Sequence, residues 1–139
     1  MPSRVEREYI NPGSLFPSLP FGFSQVVTSR GGKTVHVSGQ TAWDTEMKIV
    51  GAGDLAAQTR KALENVRLAL AAAGATPADV VRMRLYVVNY DPSMVDTLAG
   101  ILKRFFPTEA PPASTWIGVQ SLAVPEFLIE IEVTAVVED

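Results

Sequence analysis

The chain has 139 residues, of which 47% are hydrophobic and 19% charged, and its formal net charge is −3. This length and composition predict one domain over residues 1–139 and exclude disordered and low-complexity classes. With no cysteine and a single histidine, His36, the sequence excludes disulfides and thiolate nucleophiles and argues against a metal site. Scattered basic residues predict no nucleic-acid partner. No apolar run approaches the roughly 20 residues that span a bilayer, so we expect a cytoplasmic protein without membrane contact.

The first part of the chain predicts an arm followed by a hairpin. Residues 1–20 are expected to form an extended N-terminal arm, because Pro12, Pro17 and Pro20 interrupt regular structure. Residues 24–28 and 34–38 alternate like strands and flank a turn that contains Gly31 and Gly32. This pattern predicts a β-hairpin.

The remaining elements alternate between helices and strands. Apolar residues at three- and four-residue steps from Asp54 to Ala73 predict a helix, and residues 80–89 alternate like a strand. Asp91 and Pro92 are typical of a helix start, and Pro107 ends that second helix. Residues 114–119 and 127–137 are predicted strands. The order β-β-α-β-α-β-β indicates an α+β fold in which two helices cover one face of a single sheet.

The face of the sheet without helices carries charged residues. Because side chains alternate along a strand, Glu130 and Glu132 of the last strand point away from the apolar set. Arg82 and Arg84 do the same in the middle strand. Apolar residues are expected on this face as well, which indicates that it is buried against another copy of the chain. They are Tyr86, Val88, Trp116 and Val136.

Six segments together resemble the YjgF/RidA family, over residues 21–137. They are FGFSQVV, VHVSGQTAWD, AAQTRKALENVRLALAAAGA, DVVRMRLYVVN, PPAST and LIEIEVTAV. The resemblance implies a chorismate-mutase-like fold of the RidA type, assembled as a homotrimer with a small-molecule cleft between subunits. It also implies hydrolysis of enamines and imines, such as 2-aminoacrylate, to a 2-oxo acid and ammonia without any cofactor.

The resemblance assigns site residues position by position. Ser38 and Gly39 match the family's cleft loop, and Glu130 matches the glutamate that positions the attacking water and moves its proton. Ser114 stands where the family has the arginine that binds the substrate carboxylate, and hydroxyl and guanidinium are not equivalent there. Trp116 replaces a small residue, and Phe23 replaces a tyrosine. These departures predict a smaller, more apolar cleft that lacks its anion-binding arginine.

Four of these positions have a second interpretation. Glu130 could instead form a salt bridge across strands with Arg82 or Arg84. Arg84 is also a candidate substrate-binding residue that replaces the missing arginine. Trp116 is either interface packing or a stacking platform, and His36 is interpreted as a hydrogen-bonded structural residue or, alternatively, as a chemical one.

Three functions fit these residues. The first is an imine or enamine deaminase of altered specificity, in which Ser114 admits a substrate without a carboxylate. The second is a trimer that binds a small metabolite without catalysis. The third, a ribonuclease or translation inhibitor, is disfavoured because the sequence lacks a cationic track with interleaved aromatic residues.

Overall fold

The chain folds into six strands and two α-helices over residues 4–139, the part that this computed structural model describes. Residues 1–3, which belong to the predicted arm, lie outside the described residues. The strands are β1 (Glu6–Ile10), β2 (Val26–Arg30), β3 (Lys33–Gln40), β4 (Val80–Val88), β5 (Ala113–Val119) and β6 (Ile129–Val137), and the helices are α1 (Leu55–Ala72) and α2 (Val95–Phe105). Single 3₁₀ turns occupy Leu19–Phe21, Pro77–Asp79 and Pro92–Met94.

The main sheet has four strands in the order β3-β6-β4-β5. Strand β6 runs antiparallel to both of its neighbours, whereas β4 and β5 are parallel. The helices pack on one face, so the predicted α+β class with two helices on a sheet is confirmed. The buried core lies between the two helices and the sheet. It includes Leu63, Leu70, Met83, Leu85, Leu98, Leu102, Ile129, Ile131 and Val133.

Helix α1 begins where the sequence predicted, whereas the predicted start of the second helix at Pro92 is a 3₁₀ turn and α2 itself begins at Val95. The Asp54 carboxylate accepts a hydrogen bond of 3.0 Å from the Ala57 N–H and caps α1. Asp91 accepts from the Ser93 N–H at 2.8 Å and caps the turn that leads into α2. The hydrogen bonds from Ser93, the backbone one first, lower the pKa of the Asp91 carboxyl below its ordinary value.

The predicted hairpin between residues 24–28 and 34–38 is wrong. Strand β2 pairs with β1 in a separate two-stranded ribbon, while β3 pairs with β6. Gly31 and Gly32, with φ of 79° and 82°, turn the chain between the two sheets. The Arg7 guanidinium in β1 then anchors the ribbon, because it donates to Asp79 at 3.0 Å and to the Val136 carbonyl.

A buried glutamine fixes the chain where it enters the central strand. Gln58 of α1 is fully buried. Its Nε2 donates to the Glu126 carbonyl at 3.0 Å, and its Oε1 accepts from the Leu128 N–H at 2.9 Å. The amide therefore satisfies two backbone groups just before β6 begins and ties β6 to α1.

Replacing this glutamine with leucine tests the tie. Gln58→Leu keeps the side-chain volume but leaves a backbone donor and acceptor unpaired, so we expect the free energy of unfolding to fall by about 2 kcal/mol. Chemical denaturation at one fixed protein concentration measures the change. The exposed Gln120 provides the control, since Gln120→Leu should leave the midpoint nearly unchanged. Equal midpoints for the two variants would contradict this role of Gln58.

Candidate functional site

Two carboxylates of β6 point from the same face of the sheet but have different surroundings. Glu132 accepts a hydrogen bond of 2.7 Å from the Tyr86 hydroxyl and one of 3.4 Å from the Arg84 guanidinium. The bond to Glu132 is the main reason that the pKa of Tyr86 is raised. Arg82 donates to the Thr115 hydroxyl at 3.0 Å. The salt bridge that the sequence allowed for Glu130 is therefore made by Glu132.

Glu130 has no ion pair or side-chain hydrogen bond within residues 4–139. Its carboxylate lies against Gly39, at a register shift in β3 between Val37 and Gln40. A Cβ atom at residue 39 would come within 2.7 Å of Glu130 Cδ and closer still to Oε2. Only glycine leaves room for the carboxylate here, so the two predicted residues are brought together by direct contact.

Ser38, the third residue of this predicted group, is exposed at the surface of β3. Its backbone carbonyl accepts a hydrogen bond of 3.0 Å from Gln40 Nε2. It does not line the cavity next to Gly39. The structure thus places Ser38 beside the contact between Gly39 and Glu130, with its side chain outside that cavity.

A cavity of about 680 Å³ opens next to Gly39 and Glu130. Trp43, Lys61 and Asn65 also line it, and none of these three was predicted from the sequence. Asn65 Nδ2 donates to the carbonyls of Thr41 and Trp43, both at 2.9 Å, and so holds the loop after β3 onto α1. The sequence did contain a signal for Asn65, because this polar amide lies one helical turn after the buried Ala62, on the side of α1 that faces the protein.

A second group of predicted residues lies at the opposite edge of the sheet. Ser114 and Trp116 of β5 are in register with the buried Met83 and Leu85 of β4, so they face the helices. The expectation that Trp116 shares a face with Glu130 is therefore wrong. Phe23 and Trp116 both pack against the core. The prediction for Trp116 was wrong because the register of β5 against β4 determines which face of the sheet its side chain occupies. That register cannot be read from the sequence alone.

The two groups are too far apart to form one cleft within one chain. Gly39 is in β3 and Ser114 in β5, the two edge strands of the sheet. Three strand spacings separate these edges by roughly 14 Å. One chain therefore carries two separated halves of the predicted site.

Arg84 and His36 lie away from both groups. They line a shallow cavity of about 240 Å³ on the helix-free face, together with Arg82 and Glu132. The His36 side chain is exposed and has no hydrogen-bond partner within residues 4–139. The prediction that His36 is a hydrogen-bonded structural residue is therefore not met within this chain. Arg84 shares a face with Glu130 but belongs to a different cavity.

Residues 4–139 contain neither a metal-binding cluster nor a membrane-spanning helix. Histidine, aspartate and glutamate side chains form no group there that could hold a metal ion. Neither helix in this range is long and apolar enough to cross a membrane.

The contact between Gly39 and Glu130 predicts the effect of one methyl group. In Gly39→Ala the new Cβ overlaps the carboxylate, so we expect Glu130 to move and the protein to lose stability. Gly100 in α2 is the matched control, because a Cβ there meets no atom within 4 Å and alanine favours a helix by about 0.5–1 kcal/mol. Thermal unfolding and a crystal structure of each variant check this. An unmoved Glu130 in Gly39→Ala would contradict it.

Comparison with known proteins identifies the family of this chain. The sequence model of the family Endoribonuclease L-PSP matches residues 17–137. A solved structure of a conserved Rid-family protein of unknown function from Yersinia pestis is 48% identical, with a TM-score of 0.90, covering 94% of this chain and 98% of that one. A YjgF/YER057c/UK114-family structure from Mycobacterium tuberculosis is 36% identical, with a TM-score of 0.62, covering 95% and 100%.

A curated relative also carries the name of an activity. The 2-iminobutanoate/2-iminopropanoate deaminase of Dermatophagoides farinae is 28% identical over 139 residues, which are 99% of this chain and 98% of that protein. The family match covers most of the chain, and the fold agrees with solved Rid proteins. The chain therefore belongs to the Endoribonuclease L-PSP family, the YjgF/RidA group.

Proposed function

We propose that this protein is a hydrolase that converts an imine or enamine metabolite to a carbonyl compound and ammonia, without a cofactor. The observation that carries the proposal is the Glu130 carboxylate, which lies against Gly39 and has no ion pair within residues 4–139. A carboxylate without a cation is available to accept a proton from water. The name of the mite relative supports the same reaction class.

The proposed reaction needs one water molecule and one proton carrier. Glu130 accepts a proton from water while the water oxygen bonds to the carbon of the C=N group. The proton then passes to nitrogen and gives a carbinolamine. Glu130 next takes the hydroxyl proton of the carbinolamine and delivers it to nitrogen, so that the C–N bond breaks and ammonia leaves as the C=O bond forms. An enamine first gains a proton on carbon and loses one from nitrogen to become the imine. Glu130 is regenerated at the end, so atoms and charges balance.

The cleft is proposed to form between copies of the chain in a homotrimer. In one chain the group around Gly39 and Glu130 and the group around Ser114 lie at opposite edges of the sheet. A second copy would bring its β5 edge to the β3 edge of the first and join the two groups. The helix-free face would be buried in the same assembly. Its charges can be buried there because Arg84 and Glu132 already pair with each other.

A second candidate function is ligand binding without catalysis. It is favoured by Ser114, which stands where a carboxylate-binding arginine was expected and whose Oγ is buried without a partner among residues 4–139. Such a protein would bind the same class of small molecule in the same cleft. The two candidates differ only in whether water is activated there.

Substitution of Glu130 by glutamine separates these candidates. We expect Glu130→Gln to slow imine hydrolysis by about 10²–10⁴-fold, because the amide cannot accept the proton. The assay follows ammonia release from imines without a carboxylate, generated in situ from primary amines by a flavin-dependent amine oxidase, with semicarbazide trapping the unreacted imine. Glu132→Gln is the matched control on the same strand and face, and it should keep most of the activity. A wild-type protein that binds ligand but releases no extra ammonia would instead establish the non-catalytic function.

The assembly has its own measurement. Light scattering coupled to size exclusion should give a mass three times that of the chain at micromolar concentration. A stable monomer would leave the two half-sites apart and would contradict the shared cleft.

A further inference from the structure

The Ser114 half of the proposed cleft contains a small apolar pocket at the β5 edge, and the proposed reaction does not say which part of the substrate it holds. Its volume is about 260 Å³, and its surface is almost entirely apolar. It lies between β5, the start of α2 and the N-terminal arm. The lining residues are Phe16, Phe21, Phe23, Val95, Ser114 and Trp116.

Residues 16–23, the end of the arm and the residues that follow it, form one wall of this pocket. The Phe16 ring packs edge-to-face on Phe21 and Phe23, with ring centroids 6.5 and 6.1 Å apart. Gly22, with a φ of 89°, lets this segment approach Leu102 in α2 closely, since a Cβ at residue 22 would lie 3.3 Å from the Leu102 Cβ. The aromatic wall is therefore anchored on α2.

Among residues 4–139, no charged side chain lines the pocket. A carboxylate placed there would lose its water and gain no cation, which costs several kcal/mol. An uncharged apolar group has no such desolvation cost, and removing its surface from water is favourable. A cavity of about 150 Å³ with apolar walls already holds benzene in another protein, so this one has room for a group of that size.

Two polar atoms of the wall are buried without a partner in the described part of the chain. They are Ser114 Oγ and Trp116 Nε1. The indole N–H is a donor only, and an unpaired buried donor costs about 1–3 kcal/mol. A ligand with a hydrogen-bond acceptor next to its apolar group, such as a carbonyl oxygen or imine nitrogen, would offer the missing partner.

We propose that this pocket binds the uncharged aromatic or branched aliphatic substituent of the substrate, so that the preferred imine or enamine has no carboxylate at this position. This rests on the proposed hydrolysis, whose substrate class it names. Trp116 is a specificity-determining residue in this arrangement, and Ser114 marks the place where a carboxylate is no longer accepted.

The test uses two ketones that differ only in one charged group. Phenylacetone carries a methyl where phenylpyruvate carries a carboxylate, and both resemble the carbonyl product. Calorimetric titration of the full-length wild-type protein should give at least about tenfold tighter binding of phenylacetone. Ser114→Arg should reverse the preference by supplying a guanidinium. Ala72→Arg, which adds the same charge at an exposed position of α1, should not.

Each outcome supports or overturns the inference. Equal or tighter binding of phenylpyruvate by the unaltered protein overturns it, and this measurement does not depend on whether any variant folds. Failure of both ketones to bind, together with a change of oligomeric state in Phe21→Ser, would show that a second copy fills the pocket and would also overturn it. Preference for phenylacetone without ammonia release from any imine would support the pocket and refute the hydrolysis. Hydrolysis of alanine-derived imines, with no preference between the ketones, would do the reverse.

Discussion

The buried amide of Gln58 sets the position of β6, and the candidate site depends on that position. Gln58 bonds backbone groups on both sides of Phe127, just before the strand reaches Glu130. A shift of one residue in β6 would exchange its faces, because side chains alternate along a strand. Glu130 would then point into the core, and an apolar residue would face Gly39. A hydrogen-bonding group far from any ligand thus decides which face carries the carboxylates.

The two glutamates of β6 illustrate how neighbours divide roles between identical side chains. Glu132 is held by Tyr86 and Arg84, so its charge is used within the sheet. Glu130 is opposite the register shift of β3, where Gly39 leaves space, and it forms no ion pair within residues 4–139. Exposed ion pairs contribute little net stability, but this one determines which of the two carboxylates stays free. The pair formed by Arg84 and Glu132 therefore matters for the site because Arg84 is bound to Glu132 and not to Glu130.

The sequence predicts the elements well and their pairing less well. The start of α1 at Asp54 and the turn at Asp91 that leads into α2 follow from capping chemistry, which is local and visible in the residues. The contact of Gly39 with Glu130 came from a family resemblance, since the two lie far apart in the chain. The pairing of β2 with β1 was missed because two glycines permit either a hairpin or a crossing to another sheet. The face of Trp116 was missed because it depends on a parallel register set by tertiary packing.

The order of strands in the main sheet also has a consequence for biosynthesis. β6 is the last element along the chain, yet it lies between β3 and β4. A ribosome therefore releases α1, β4 and α2 before the strand that unites them, and the emerging chain exposes the unpaired edges of β3 and β4. Closure requires contacts between segments about a hundred residues apart, and such contacts form slowly. We therefore expect nascent chains of this protein to depend on chaperones that shield strand edges until β6 has emerged.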